Sequence, residues 1–180
     1  MSERSERPSV AVTAITCRTK SAEDTQALAG ELASFAKPGD VVLLAGDLAS
    51  GKTVFAQGFG AGLGVREPIT SPTFILMRAY GGRLPLVHLD VYRLERLQEA
   101  VDLGLAEVLD DGAVALIEWG DVVAPVLPAD FLEVRLDRGA DDDERHLRLR
   151  AVGPRWSPRM GSMQRSLERW LSPGGGSDRC

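Results

Sequence analysis

The run Gly46-Asp47-Leu48-Ala49-Ser50-Gly51-Lys52-Thr53 constrains this chain more than any other stretch. It fits the spacing G-x-x-x-x-G-K-[ST], a glycine-rich loop whose backbone N–H groups surround phosphate oxygens. Such a loop works between a strand and a helix, because the helix N-terminus and the loop amides must converge on one anion. The flanks predict both. Asp40-Val41-Val42-Leu43-Leu44-Ala45 is short, apolar and β-branched at two positions, the pattern of a buried strand. Val54 to Leu63 reads as a helix ending at Gly64, weakened by Gly58, Gly60 and Gly62. In that setting Lys52 would reach the outer phosphates and the Thr53 hydroxyl would take Mg²⁺.

The rest of the chain supplies the layers around this unit. Residues 1–8 and 172–180 read as disordered tails, and 9–171 as a single domain. Val10 to Cys17 predicts a strand. Ser21 caps a helix over Ala22 to Lys37, with Glu23 and Asp24 in its positive first turn and Pro38-Gly39 as its stop. Phe74 to Tyr80 and Leu84 to Tyr92 read as strands joined by a two-residue Gly81-Gly82 turn. Glu95 to Leu103 is a short helix closed by Gly104, and a second short helix ends at Asp110-Asp111-Gly112. Ala113 to Ile117 is another buried strand. Phe131 to Leu136 and His146 to Val152 form an antiparallel pair around acidic Asp141-Asp142-Asp143-Glu144. Ser157 to Leu171 reads as a last amphipathic helix. Mixed strands and helices with the glycine-rich loop in the interior imply a three-layer α/β domain.

Phosphate binding alone is not hydrolysis, which needs a held cation and an oriented water. Two apolar strands end in an acid: Leu86-Val87-His88-Leu89 in Asp90, and Ala113 to Ile117 in Glu118. Either acid is a candidate for this work or an ordinary surface group at a strand end. Thr73, in Ser71-Pro72-Thr73-Phe74, lies on the first loop after the phosphate-loop helix, where a switch segment would feel the terminal phosphate; the alternative is a plain Ser-Pro turn. His88 shares a strand face with Asp90 and is read as packing or hydrogen bonding. Trp119 either packs beside a nucleotide or closes the core edge. Arg93 touches phosphate or pairs with a nearby acid.

Composition excludes several classes. With 44% hydrophobic and 26% charged residues in 180, the chain is that of a globular protein with a real core. No apolar run approaches the roughly 18 residues of a membrane span, and Met1 to Pro8 holds no apolar segment of a secretory signal, so no membrane contact and a cytoplasmic location are expected. Cys17 and Cys180 suggest neither a disulfide framework nor a metal site. A net charge of −5 argues against a broad nucleic-acid surface, leaving contact with RNA through a partner.

Four landmarks occur in order: Gly46 to Thr53, then Ser71-Pro72-Thr73-Phe74, then His88-Leu89-Asp90-Val91-Tyr92-Arg93-Leu94, then Ile117-Glu118-Trp119. In these the chain, from about Ser21 to Val152, resembles the TsaE (YjeE) family of bacterial tRNA threonylcarbamoyladenosine modification. The resemblance implies a small P-loop NTPase domain with a mostly parallel central sheet and an antiparallel portion. It implies ATP and Mg²⁺ as cofactors, slow intrinsic hydrolysis, and the TsaB–TsaD complex as partner. That complex transfers threonylcarbamoyl to adenosine 37 of tRNAs reading ANN codons, so tRNA is met indirectly and this chain is not the transferase. By the same resemblance Ala49, Ser50, Gly51, Lys52, Thr53 and Val54 bind the nucleotide phosphates. Thr53 and Glu118 hold Mg²⁺, Thr73 and Asp90 with Lys52 influence hydrolysis, and Thr25 lies near the base. Ala49 departs from the family, which usually has glycine there; a positive φ at that position would cost alanine roughly 1–2 kcal/mol. Two other readings of the loop are a small-molecule kinase and a nucleotide-sensing switch. A kinase would need a lid of arginines, and Arg145, Arg148 and Arg150 fall instead in an expected strand.

Overall fold

The apolar runs form strands of one sheet, and the amphipathic segments cover it. A computed structural model describes residues 14–71, 77–91, 104–118 and 129–173. In chain order the elements are β1 (Ala14–Thr19), α1 (Ala22–Ala33), β2 (Val41–Ala45), α2 (Lys52–Gly62), β3 (Met77–Tyr80), β4 (Leu86–Asp90), α3 (Leu105–Asp110), β5 (Val114–Glu118), β6 (Phe131–Arg138), β7 (Arg145–Val152) and α4 (Met160–Ser166). The sheet order is β1-β7-β6-β2-β5-β4-β3. Strands β6, β2, β5 and β4 run parallel and form the core; β7, β1 and β3 add antiparallel margins.

Strand alternation sorts the core into two faces. Val42, Leu44, Leu116 and Val134 point to one face, under α1, α2 and α4. Val41, Leu43, Ala115 and Ile117 point to the other, where α3 packs through Leu105, Val108 and Leu109. This is the three-layer α/β arrangement. The glycines of α2 have a packing reason. A Cβ on Gly58 would lie 2.3 Å from the Gln26 carbonyl oxygen, and one on Gly62 would lie 2.5 Å from that of Gly30. Their absence lets α1 and α2 touch backbone to backbone, running in the same direction. Each glycine costs a helix about 1 kcal/mol. Burying Phe55 and Phe59, both fully inaccessible, returns about 1.5–3 kcal/mol apiece, so packing outweighs propensity.

The end of β2 opposite the glycine-rich loop is tied down. Asp40 is inaccessible to solvent and accepts from Arg159 Nη1 at 2.5 Å, Arg159 Nη2 at 3.0 Å, Arg155 Nε at 3.2 Å and the Lys37 N–H at 2.8 Å. The Arg159 guanidinium also stacks 4.0 Å over the buried Trp156 ring. On β1, Cys17 is a buried free thiol whose pKa burial pushes up to about 12. No helix among the described residues is long and apolar enough to cross a membrane.

Several boundaries differ from expectation. Helix α1 stops at Ala33, four residues early, because Ser34 turns its N–H and hydroxyl back onto the Glu31 carbonyl. Helix α2 begins at Lys52, two residues early. The β3–β4 hairpin pairs Tyr80 with Leu86, so its loop has five residues and Pro85 lies outside the strand. That loop is held open by docking: Arg83 N–H donates to the Leu63 carbonyl at 2.7 Å, and the Arg83 side chain to that of Ala33. The last expected helix is broken into a 3₁₀ turn (Ser157–Arg159), α4 and a second 3₁₀ turn (Glu168–Trp170). Leu171 bridges to Cys17 on β1, and the Trp170 indole donates to Asp24 at 2.7 Å, which a continuous helix would not permit. Strand β1 runs on to Thr19. The expected tails, the helix over Glu95 to Leu103, Thr73, Arg93 and Trp119 lie outside the described residues, apart from Ser172 and Pro173.

Candidate functional site

Strand β2 delivers the chain at Ala45 into the loop, and three backbone positions then bend it. Gly46 has φ 146°, and a Cβ there would sit 2.4 Å from the Leu136 carbonyl and 2.6 Å from Ser50 Oγ. Gly51 has φ 105° and caps α2. Ala49 has φ 61°, the sole non-glycine residue with positive φ among those described. A methyl group is therefore held in a conformation glycine would adopt freely. The Gly51 cap supplies no side-chain acceptor, so the first N–H groups of α2 remain open to an anion. Thr53 and Val54 sit half-buried in that first turn.

The Lys52 side chain does not extend into solvent. It is folded into the hollow of the loop, 5% exposed, where Nζ donates to the carbonyls of Gly46 at 2.7 Å and Asp47 at 2.9 Å. Ser50 is equally covered, and its hydroxyl has no hydrogen-bond partner among the described residues. The loop tip is the opposite: Asp47, Leu48 and Ala49 are exposed, Leu48 by 80%.

The two strand-end acids are brought together. Asp90 and Glu118 are register partners at the carboxyl ends of the parallel strands β4 and β5, and Glu118 is in turn the register partner of Leu44 on β2. Both therefore stand on the edge of the sheet from which the loop emerges, the usual ligand crevice of such sheets. Glu118 is 3% exposed, and His88 Nε2 lies 2.8 Å from its Oε1. Of the two expected roles for His88, packing or hydrogen bonding, the structure gives the second, and its partner is the candidate acid Glu118. Ser71 Oγ reaches Asp90 Oδ2 at 3.5 Å. Thr25 is buried at the start of α1, with its hydroxyl 2.7 Å from that of Thr19 and donating to the Ser21 carbonyl at 3.1 Å.

One residue at the loop was legible in the sequence only as part of a strand. Arg145, the first residue of β7, donates from Nε to the Ser50 carbonyl at 2.8 Å. Nothing local marks it, since the two residues are 95 positions apart. Beside it Glu144 is covered and bound by Arg18 at 2.5 Å and His146 at 3.0 Å. The hydrogen bond and charge of Arg18 hold its carboxyl below the usual range.

Among the described residues no three His, Cys, Asp or Glu side chains cluster as a self-sufficient metal site. Thr53 and Glu118, the residues expected to hold a cation, carry too few oxygens to make a Mg²⁺ site by themselves. The groove between α1 and α2, lined by Gln26, Gly30, Gly58 and Gly62 with Glu23 and Glu67 on its walls, contains neither the loop nor the two acids.

Comparison with known proteins places this arrangement among relatives. Residues 19–147 match the family model described as "Threonylcarbamoyl adenosine biosynthesis protein TsaE". The tRNA threonylcarbamoyladenosine biosynthesis protein TsaE of Bacillus subtilis is 46% identical over 140 residues, covering 77% of this chain and 87% of that one. The protein of the same name from Streptomyces coelicolor is 43% identical, covering 72% and 92%. The crystal structure of Bacillus subtilis YdiB superposes with a TM-score of 0.72 at 38% identity, over 89% of this chain and 98% of that one.

Proposed function

The chain belongs to the TsaE family, and from that premise we propose that it is a Mg²⁺-dependent ATPase serving threonylcarbamoyl modification of tRNA adenosine 37 with the TsaB–TsaD complex. The observation that carries the reading is the loop itself: Lys52 Nζ folded between two loop carbonyls, open amides at the start of α2, and Glu118 one strand away. The Gly46 and Asp47 carbonyls that Lys52 Nζ meets are neutral, and phosphate oxygens in the same hollow would be a charge-assisted and stronger partner. The orphaned Ser50 hydroxyl inside the same hollow fits a polar ligand.

Bound Mg-ATP supplies the phosphoanhydride that water cleaves. The residues Ala49 to Val54 bind its phosphates, Lys52 neutralises them, and Thr53 and Glu118 hold the cation. His88 keeps the Glu118 carboxylate turned to the site. Asp90 and Thr73 belong to the segments that govern hydrolysis, and Thr25 stands on the side of the base. Turnover is slow in isolation because Arg145, the described arginine that touches the loop, is spent on carbonyls. An arginine supplied by a partner can be worth about 10³–10⁵ in rate. The net charge of −5 leaves tRNA contact to the other subunits, in the cytoplasm.

The test is reconstitution with TsaB, TsaD, tRNA and a threonylcarbamoyl donor, following modified adenosine and released phosphate. Wild type restores the modification with ATP consumed, and Lys52→Ala does not. Rapid phosphorylation of a small acceptor, with no binding to the complex in any nucleotide state, would replace this reading with a kinase.

A further inference from the structure

The guanidinium of Arg145 is held on two sides. Its Nη1 donates to the carbonyls of Asp142 at 2.6 Å and Glu144 at 2.7 Å, within the turn between β6 and β7. That turn is itself closed by Gly139 N–H on the Glu144 carbonyl at 2.9 Å and Glu144 N–H on that of Asp141 at 3.0 Å. Its Nε, on the other side, donates to the Ser50 carbonyl at 2.8 Å. The hairpin is fixed to the sheet, because β6 pairs with β2 along Val42 to Ala45. A side chain tied this way does not swing to a phosphate.

What it does follows from peptide geometry. No described peptide bond is cis, so the Ser50 C=O and the Gly51 N–H point in opposite directions. Turning the carbonyl to Arg145 turns the Gly51 N–H the other way, away from Arg145. Gly51, at φ 105°, has no side chain to resist a flip of this peptide. A flipped peptide would put a carbonyl oxygen where an anion is to bind.

We propose that Arg145 is a positioning residue that locks the Ser50–Gly51 peptide with its N–H facing the phosphate site. The effect on nucleotide rests on the ATPase reading above, whereas the peptide orientation does not. The same geometry explains why lysine is a poor substitute. The fork of Arg145 bonds the turn and the loop at once, and an ammonium on a flexible stem does not reproduce that fixed pair.

The experiment compares wild type, Arg145→Ala and Arg145→Lys, with Arg148→Ala on the exposed side of β7 as the control. Calorimetry reads Mg-ADP affinity, NMR reads the Gly51 HN–Hα couplings in nucleotide-free protein, and thermal melting verifies folding. We expect Arg145→Ala to lose roughly tenfold or more in affinity, the scale of a charged hydrogen bond. Its Gly51 couplings should move from values for a single φ near 105° to averaged ones. Arg145→Lys should recover part of both, and Arg148→Ala should change neither. Unchanged couplings overturn the proposal whatever the affinity, and changed couplings with unchanged affinity overturn the role in binding. If wild type binds no nucleotide, the ATPase reading falls, and the couplings alone still decide the orientation of the peptide. Should Arg145→Ala fail to fold, Arg145→Lys is read by the same criteria.

Discussion

The two ends of β2 are separated by a strand of only five residues and built to opposite rules. At Asp40 the buried charge is paired: one carboxylate takes two arginines and a backbone N–H, and one arginine stacks on Trp156. At the loop the pairing is left incomplete. Ala49 is held at φ 61°, and the Ser50 hydroxyl has no partner among the described residues. Stability is concentrated at one end of the strand, and the other keeps conformations that cost energy. The sheet between them, Val41 to Ala45 without an exposed residue, makes the strain tolerable.

If this contrast is right, a change at the lower end should act on stability alone. Asp40→Ala is expected to have the largest effect, about 3–5 kcal/mol, because it leaves Arg159 charged and only 10% exposed. Arg155, 44% exposed, returns to water and adds little. Denaturant unfolding measures the loss, and the folded fraction should bind ATP as wild type does. An impaired affinity in folded protein would break the contrast.

Changes at the upper end should act on the ligand. Lys52→Ala should cost about 2–3 kcal/mol of ATP binding, the scale of charged hydrogen bonds, with a much smaller change in melting temperature. Unchanged affinity by calorimetry would dismiss the loop as the site. Glu118→Gln should lower Mg²⁺-dependent phosphate release by roughly tenfold or more while nucleotide binding changes less. The amide keeps an oxygen for His88 and removes only the charge, so equal rates with partners present would make Glu118 structural. Ala49→Gly should relieve about 1 kcal/mol of strain and keep or improve ATP affinity. A loss of both affinity and melting temperature would show that the alanine is not strained. The smallest effect belongs to the rim. Arg18 lowers the Glu144 pKa in the folded protein, so this carboxylate contributes stability above its unfolded value and loses it as pH falls through the folded one. Glu144→Gln should therefore flatten the acid limb of the stability curve and leave neutral activity nearly unchanged.

The sequence revealed what depends on local pattern. Val41–Ala45 and Val114–Glu118 were readable because buried parallel strands are continuous apolar runs, and Phe131–Arg138 with Arg145–Val152 because an acidic turn separates them. The loop was readable because its spacing is a constraint on backbone conformation. Long-range contacts were not. The Asp40–Arg159 pair spans 119 residues and the Arg145–Ser50 bond 95, and no window on the chain contains either. The misjudged boundaries share that cause: the β3–β4 loop opens to meet the end of α2, and the last helix breaks to reach β1.

The burial of Cys17 gives the fold an internal reporter. Burial pushes its pKa up to about 12, which keeps the thiol protonated at neutral pH, and the sulfur is shielded as well. An alkylating reagent can reach it only when the packing around β1 opens. The labelling rate of the peptide that contains Cys17, followed by mass spectrometry, therefore counts openings around the edge strand under native conditions, without denaturant and without an added probe.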